Sequence, residues 1–368
     1  MQPRLGIYIH IPFCASKCGY CDFYSCAGAA ERMAEYQQAL LEHIEESAGR
    51  IAPAYIDTVY FGGGTPSFYG AARLIELLDA VKATGRLLKR AEVTVEVNPD
   101  SVRLHDLRAL RKAGFNRLSI GMQSANNDIL KMIGRRHSYR QVEMAVENAR
   151  TAGFDNISLD LIYGLPSQTR SDWADTLAKA IALRPEHISG YGLKLEEGTP
   201  MYALKDSPLI PSDDEQADMY LCMVEELRRY GYEQYEISNF ARPGYEGKHN
   251  LIYWDCGDYL GLGPAAHSCM GGKRFCYAPD TAAFLQDAAA PIMDGSCGAE
   301  DYLILQLRLR KGLDLEAYKT LYGKQFSTAQ LAFVQNCVKS GYANFDGHTL
   351  ALTPAGLIVQ NSILAELL

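Results

Sequence analysis

The chain predicts an α/β fold, an incomplete (β/α)6 barrel followed by a small, mainly helical C-terminal unit. Three observations point there. From residue 5 to about residue 240, short β-branched or aromatic runs alternate with amphipathic stretches of helical period, the pattern of βα units around a parallel sheet. Several of the helical stretches run into a glycine, a helix stop signal. Polar and glycine-rich clusters fall directly after the strand candidates, where the carboxyl ends of parallel strands gather reactive groups.

In chain order, the apolar run 5–11 reads as the first strand and 33–47 as the helix that returns from it. Strand 55–61 ends in Gly62-Gly63-Gly64-Thr65-Pro66 and is followed by helix 74–83. Strand 92–97 carries Glu96 and leads through Asn98-Pro99 to helix 104–112. Strand 117–122 ends in Gln123-Ser124, before helix 139–152. Strand 157–163 holds Asp160 and runs into Gly164-Leu165-Pro166, before helix 172–183. A sixth strand is expected at 187–195 and a weaker one at 232–238. Residues 1–240 therefore form the barrel; 241–295 form a Gly- and Tyr-rich connecting region with His249 and His267; and 296–368 form the separate helical unit.

With 368 residues and 48% apolar composition, the chain has enough apolar side chains for a packed core. No apolar run approaches the roughly 20 residues of a bilayer span, and the first one is too short for a secretory h-region, so a cytoplasmic location and no transmembrane segment are expected. The net charge of -8 lacks the basic footprint of a nucleic-acid binder. Without a secretory signal the ten cysteines are expected to be reduced, which favours metal or redox chemistry for a tight cluster. Cys222, Cys256, Cys269, Cys276, Cys297 and Cys337 show no short metal-ligand spacing and read as packing or surface residues.

The tight cluster is Cys14, Cys18 and Cys21, spaced C-x3-C-x2-C after the first strand. Zinc in a structural site takes four ligands, and neither His10 nor Cys26 offers a second ligand pair. A cubane iron-sulfur cluster held by three thiolates keeps one iron open for a substrate or cofactor.

The spacing, with Tyr20 before the last cysteine, resembles the signature of the radical S-adenosylmethionine (SAM) superfamily, in which the methionyl amino and carboxylate groups occupy the open iron of a 4Fe-4S cluster. Gly62-Gly63-Gly64-Thr65-Pro66, with Gly63, Gly64 and Thr65 as the contacts, is similar to that family's glycine-rich element beside the methionyl group, although the same five residues also suit a tight turn. The resemblance narrows to the branch of oxygen-independent coproporphyrinogen III dehydrogenase and the heme chaperones, and covers nearly the whole chain. It implies SAM or cluster contacts for Tyr8, Glu96, Gln123, Arg135 and Asp160. Read alone, Tyr8 suits an interior strand aromatic, and Arg135-Arg136 suits a solvated pair.

Two features bear on the choice within that branch. The dehydrogenase has a further cysteine two residues after the third and a longer segment ahead of the first; here Phe23 takes that position and thirteen residues precede Cys14. His249-Asn250-Leu251-Ile252-Tyr253-Trp254 is similar to the HNxxYW motif of the heme chaperones. An imidazole beside two large aromatics suits an axial iron ligand and apolar walls for a macrocycle, and suits equally a loop packed onto the barrel mouth. His267, in Leu262-Gly263-Pro264-Ala265-Ala266-His267-Ser268, is a second heme-ligand candidate. Residues 296–368 resemble the branch's C-terminal domain, expected to be winged-helix-like. The implied activity is a heme chaperone that passes heme to apo-hemoproteins, with an electron donor for its cluster. A porphyrinogen dehydrogenase and a radical SAM enzyme with another substrate stand as alternatives.

Overall fold

A computed structural model describes residues 3–286 and 290–368. Six parallel strands lie side by side in sequence order: β1 (Arg4–Ile11), β2 (Tyr55–Gly63), β3 (Arg86–Val97), β4 (Arg117–Gln123), β5 (Ile157–Tyr163) and β6 (His187–Gly192). The crossovers are α1 (Met33–Glu46), α2 (Ala71–Thr84), α3 (Leu104–Ala113), α4 (Tyr139–Thr151) and α5 (Arg170–Ala182). The incomplete barrel thus follows the periodicity. The sixth strand stops at Gly192, and the weak strand candidate resolves into the short pair Glu233–Gln234 and β7 (Asn239–Ala241).

Strand period places apolar side chains outward against the helices and polar ones inward. In β4 every residue is buried; Leu118, Ile120 and Met122 enter the main core, while Arg117, Ser119, Gly121 and Gln123 take the alternate positions. In β1 the same alternation sends Leu5, Ile7, Ile9 and Ile11 to the core and leaves Gly6, Tyr8 and His10 on the other face. α1 buries Met33, Tyr36, Gln37, Leu40, His43 and Ile44, a stripe of helical period that closes one side of the barrel. Capping boxes start α4 at Ser138 and α5 at Thr169.

The open edges are covered by later chain. On the β6 side β7 pairs antiparallel. On the β1 side β8 (Tyr259–Leu262) adds parallel, followed by the antiparallel β9 (His267–Met270), β10 (Lys273–Cys276) and β11 (Ile292–Ser296). The stretch read as a connecting region therefore continues the barrel sheet. Of the helices that were not anticipated, two matter here. One, α6 (Asp213–Arg229), opens on a Ser212/Glu215 capping box. The other, α7 (Lys248–Trp254), enters the barrel from its amino-terminal end.

The seat of α7 is built by three residues from neighbouring strands. Glu92 accepts hydrogen bonds from the backbone N–H of Lys248 (3.2 Å) and His249 (3.1 Å). Thr58, which pairs in register with both Gly6 and Glu92, shares a 2.7 Å hydrogen bond with His249 Nδ1. Gly6 is required: a Cβ there would come within 2.8 Å of Ile252 and 3.3 Å of His249.

The C-terminal unit holds helices Ala299–Gln306, Leu315–Tyr322 and Thr328–Lys339, a hairpin of Ala343–Phe345 with Thr349–Leu352, and a final helix pair. This is a winged-helix-like arrangement with more helices than expected. It is tied to the barrel by a bridge between Glu236 and Leu309 and by Gln306 Nε2, which donates to the Trp254 carbonyl at 2.8 Å. Among the described residues no helix is long and apolar enough to cross a membrane.

Candidate functional site

The loop after β1 folds over the carboxyl end of the barrel. Phe13–Cys14 pairs with Cys26–Ala27, and Cys26 N donates to Pro12 O at 2.6 Å, so Cys26 closes the loop at its base. The glycine tract braces it from below. Gly64 N donates to Ile11 O (2.8 Å) and Thr65 N to Phe13 O (2.8 Å), while Thr65 Oγ1 lies 3.4 Å from Cys14 Sγ as a donor. A Cβ on Gly64 would meet Phe13 O at 2.9 Å and Cys14 Sγ at 3.0 Å. Gly63, at φ 114°, presses on the His10 ring, where a Cβ would come within 2.6 Å. Only glycine accepts both the close approach and that backbone region.

The far side of the loop rests on the turn after Asn127–Met132: Gly19 N donates to Ile133 O (3.1 Å), and Met201 N donates to Gly19 O (2.9 Å). Cys14, Cys18 and Cys21 all line one cavity of about 500 Å³. Burial pushes the Cys14 thiol up, and burial with the neighbouring Cys18 and Cys14 raises Cys21 to about 11. Crowded, part-buried thiols of this kind are protonated when free. Metal coordination removes those protons, so the donor set suits an iron-sulfur cluster.

The opposite wall carries two carboxyl groups. Glu96 accepts from Tyr60 OH at 2.8 Å and from Gly63 N at 3.2 Å. Burial, with the nearby Asp160, lifts its carboxyl to about 7 despite those two bonds. Asp160 accepts from Ser119 Oγ (2.8 Å) and Ser158 Oγ (3.4 Å), and burial raises it too. Between carboxyls and thiols stands Arg135, donating to Asn98 Oδ1 (2.8 Å), Gly121 O (2.9 Å) and Cys18 Sγ (3.7 Å). It is not half of a solvated pair; Arg136 alone turns outward, toward Asp100. Gln123 sits at φ 63°, where the β4–β5 register shifts, and this left-handed kink aims its amide toward Gly121. Such a site can take a compact ligand that offers ammonium or hydroxyl donors to the carboxyls and a carboxylate to the guanidinium.

Gly63, Gly64, Thr65, Glu96, Gln123, Arg135 and Asp160, with Tyr20, all line this one cavity. Tyr8 does not: its OH bonds His10 Nδ1 at 3.0 Å and its ring stacks on Tyr60 at 6.2 Å, behind the wall. The structure does not bring the four heme-oriented residues to the cavity or to one another's exposed face. His249 is 3% exposed, with Nδ1 on Thr58 and Nε2 on Tyr253 OH at 2.7 Å, and burial holds its pKa down to about 3. The Tyr253 ring turns edge-on to Tyr259, the half-buried Trp254 stacks under Arg308, and His267 is exposed on β9. Sequence reasoning missed Tyr60, Ser119 and Tyr191 on the cavity wall. The available signal for Tyr60 was its place two residues ahead of Gly62 on the same strand face.

Comparison with known proteins agrees with this geometry. The radical SAM superfamily model matches residues 8–180 and the HemN C-terminal domain model residues 299–359. A Bacillus subtilis protein named heme chaperone HemW is 33% identical over 98% of both chains. The Mycobacterium tuberculosis protein of that name is 34% identical over 100% of this chain and 95% of its own, and the Escherichia coli one 39% over 72% and 70%. The solved structure of coproporphyrinogen III oxidase (HemN) from Escherichia coli, a radical SAM enzyme, superposes with a TM-score of 0.86 over 100% of this chain and 90% of that one, at 24% identity. That last likeness concerns the fold.

Proposed function

The chain belongs to the family of the heme chaperone HemW, within the radical SAM superfamily, and from that premise we propose that it binds heme and hands it to apo-hemoproteins. The observation that carries the proposal is similarity to relatives of that name along the full length of both chains. Phe23 supports it: where the dehydrogenase pattern calls for another cysteine, this chain places a 66% exposed phenyl ring at the cavity mouth.

Cys14, Cys18 and Cys21 hold the 4Fe-4S cluster, and Glu96, Gln123, Arg135 and Asp160 with the glycine tract hold SAM. When bound, a cluster reduced by an external electron donor would supply one electron to the SAM sulfonium and so break one of its C–S bonds. Glu96 and Asp160 accept from the ligand's ammonium or hydroxyl groups, Arg135 fixes its distance from Cys18, and the loop ending at Cys26 limits water entry from above. Among the imidazoles proposed for heme iron, His267 is open to solvent as the protein stands. His249 reaches iron only if α7 leaves its seat, since both ring nitrogens are engaged.

Titration of purified protein with heme is expected to give a saturable Soret band, and anaerobic incubation with an apo-cytochrome to move that heme. His267→Ala is expected to shift the Soret maximum. Turnover of coproporphyrinogen III by the protein with SAM and a reductant, without heme transfer, would replace this reading by the dehydrogenase.

A further inference from the structure

Beneath the cavity the barrel interior is polar, and its contacts form two columns that end on the same segment. In the first, the Tyr60 ring has two near-parallel neighbours, Tyr8 (centroids 6.2 Å apart, planes at 24°) and His249 (5.3 Å, 23°), and its hydroxyl donates to Glu96. In the second, Asp160 accepts from Ser158 Oγ, which shares a 2.8 Å hydrogen bond with His187 Nδ1. His187 Nε2 shares one of 2.9 Å with Tyr235 OH, and that hydroxyl accepts from Gly247 N at 3.2 Å. The two buried carboxyls of the pocket, Glu96 and Asp160, are thus connected to residues 247–249, which do not themselves line the cavity.

We infer that the 247–253 segment is the positioning element for the two carboxyl groups, and that His249 acts through the Tyr60 ring to set where Glu96 meets its ligand. The arrangement favours this. Tyr60 has a single hydroxyl, and Glu96 receives only that bond and the one from Gly63 N among the described hydrogen bonds. A ring packed against two near-parallel neighbours has little room to swing, so its hydroxyl stays on Glu96; with the His249 ring gone, the phenol gains a rotamer and the carboxylate loses its orientation. His249 is itself held at three points, its ring Nδ1 by Thr58, its ring Nε2 by Tyr253 and its backbone N–H by Glu92. Thr58 and Tyr60 face the same side of β2, so a displacement of His249 is passed directly to Tyr60.

The ring, more than its hydrogen bonds, is the transmitting part. His249→Phe keeps a flat face under Tyr60 and drops both bonds; His249→Gln keeps bonding capacity and drops the face. The test uses full-length protein with its cluster reconstituted anaerobically, and reads the SAM dissociation constant together with the change SAM causes in the EPR spectrum of the reduced cluster. His249→Ala and His249→Gln are expected to weaken SAM about tenfold and blunt the spectral change at normal iron content, and His249→Phe to stay within about threefold of wild type. In a Tyr60→Phe background, His249→Ala is expected to add nothing. Wild-type affinity in His249→Ala, or rescue by Gln and not by Phe, overturns the inference. If the Ala variant does not fold, the Phe and Gln pair decides alone. The inference rests on the cavity being the SAM site: wild-type protein that fails to bind SAM overturns both, whereas wild-type binding with unaffected variants overturns this one only.

Discussion

Glu96 is kept in two bonds and little water, and its carboxyl rises to about 7. A carboxyl whose pKa is raised in the folded protein stabilises the fold below its ordinary value near 4.5, and that contribution disappears as the pH climbs through about 7. In cluster-free protein at pH 8, Glu96 is therefore a buried charge that costs about 3 kcal/mol. Glu96→Gln is expected to melt above wild type at pH 8 and level with it at pH 4, while SAM binds at least tenfold more weakly to the reconstituted variant. Equal melting differences at both pH values would remove the carboxyl's raised pKa from the account. The thiols behave differently. Cys14→Ala, Cys18→Ala and Cys21→Ala are each expected to lose most iron on reconstitution. Cys26→Ala is expected to keep it, because Cys26 contributes its backbone N–H to the loop base. Full iron in any of the first three would dismiss the ligand set.

The strand ends and the C-terminal helices respond to one added methyl in opposite ways. At Gly121 a Cβ would meet the ends of two side chains, Arg135 Nη2 and Gln123 Nε2, each at 2.9 Å. Both can retreat, so Gly121→Ala is expected to fold with nearly unchanged melting and to bind SAM several-fold more weakly. At Gly356, in the helix Pro354–Ile358, the Cβ would collide with the Tyr342 carbonyl, which is backbone and cannot retreat. Gly356→Ala is expected to lose about 1 to 3 kcal/mol in denaturant melts and leave SAM affinity alone. Gly121 was readable beforehand as the end of a strand, and so was the pocket. Parallel strands in sequence order bring Thr65, Glu96, Gln123 and Asp160 to one rim, so their places follow from periodicity once the barrel is assumed. Strands β8 to β11 were not readable, being four or five residues long, with glycines inside β8 and β11 and in the turns between β8, β9 and β10.

Taken as one body, the described molecule is built on one twelve-stranded sheet, with the cavity at one end of its barrel and α7 at the other. This division was hidden in the sequence. A motif such as His249 to Trp254 states which groups are present, whereas the end of the barrel it enters depends on Gly6, Thr58 and Glu92, which lie more than 150 residues away and carry no local mark. The engaged nitrogens of His249 also bear on how two guests share the protein. An iron that takes this imidazole must first displace Thr58 from Nδ1 or Tyr253 from Nε2, and withdrawal of the ring from its seat frees the Tyr60 ring that holds Glu96. Thermodynamic linkage then runs both ways: if heme on His249 weakens SAM by some factor, SAM weakens heme by the same factor. Heme affinity measured with and without saturating SAM is expected to differ, and the difference to vanish in His249→Phe. Identical affinities in wild type would place the iron away from His249. A protein so coupled would grip heme more tightly when empty of SAM and loosen it on loading, so that SAM occupancy itself would act as a release signal.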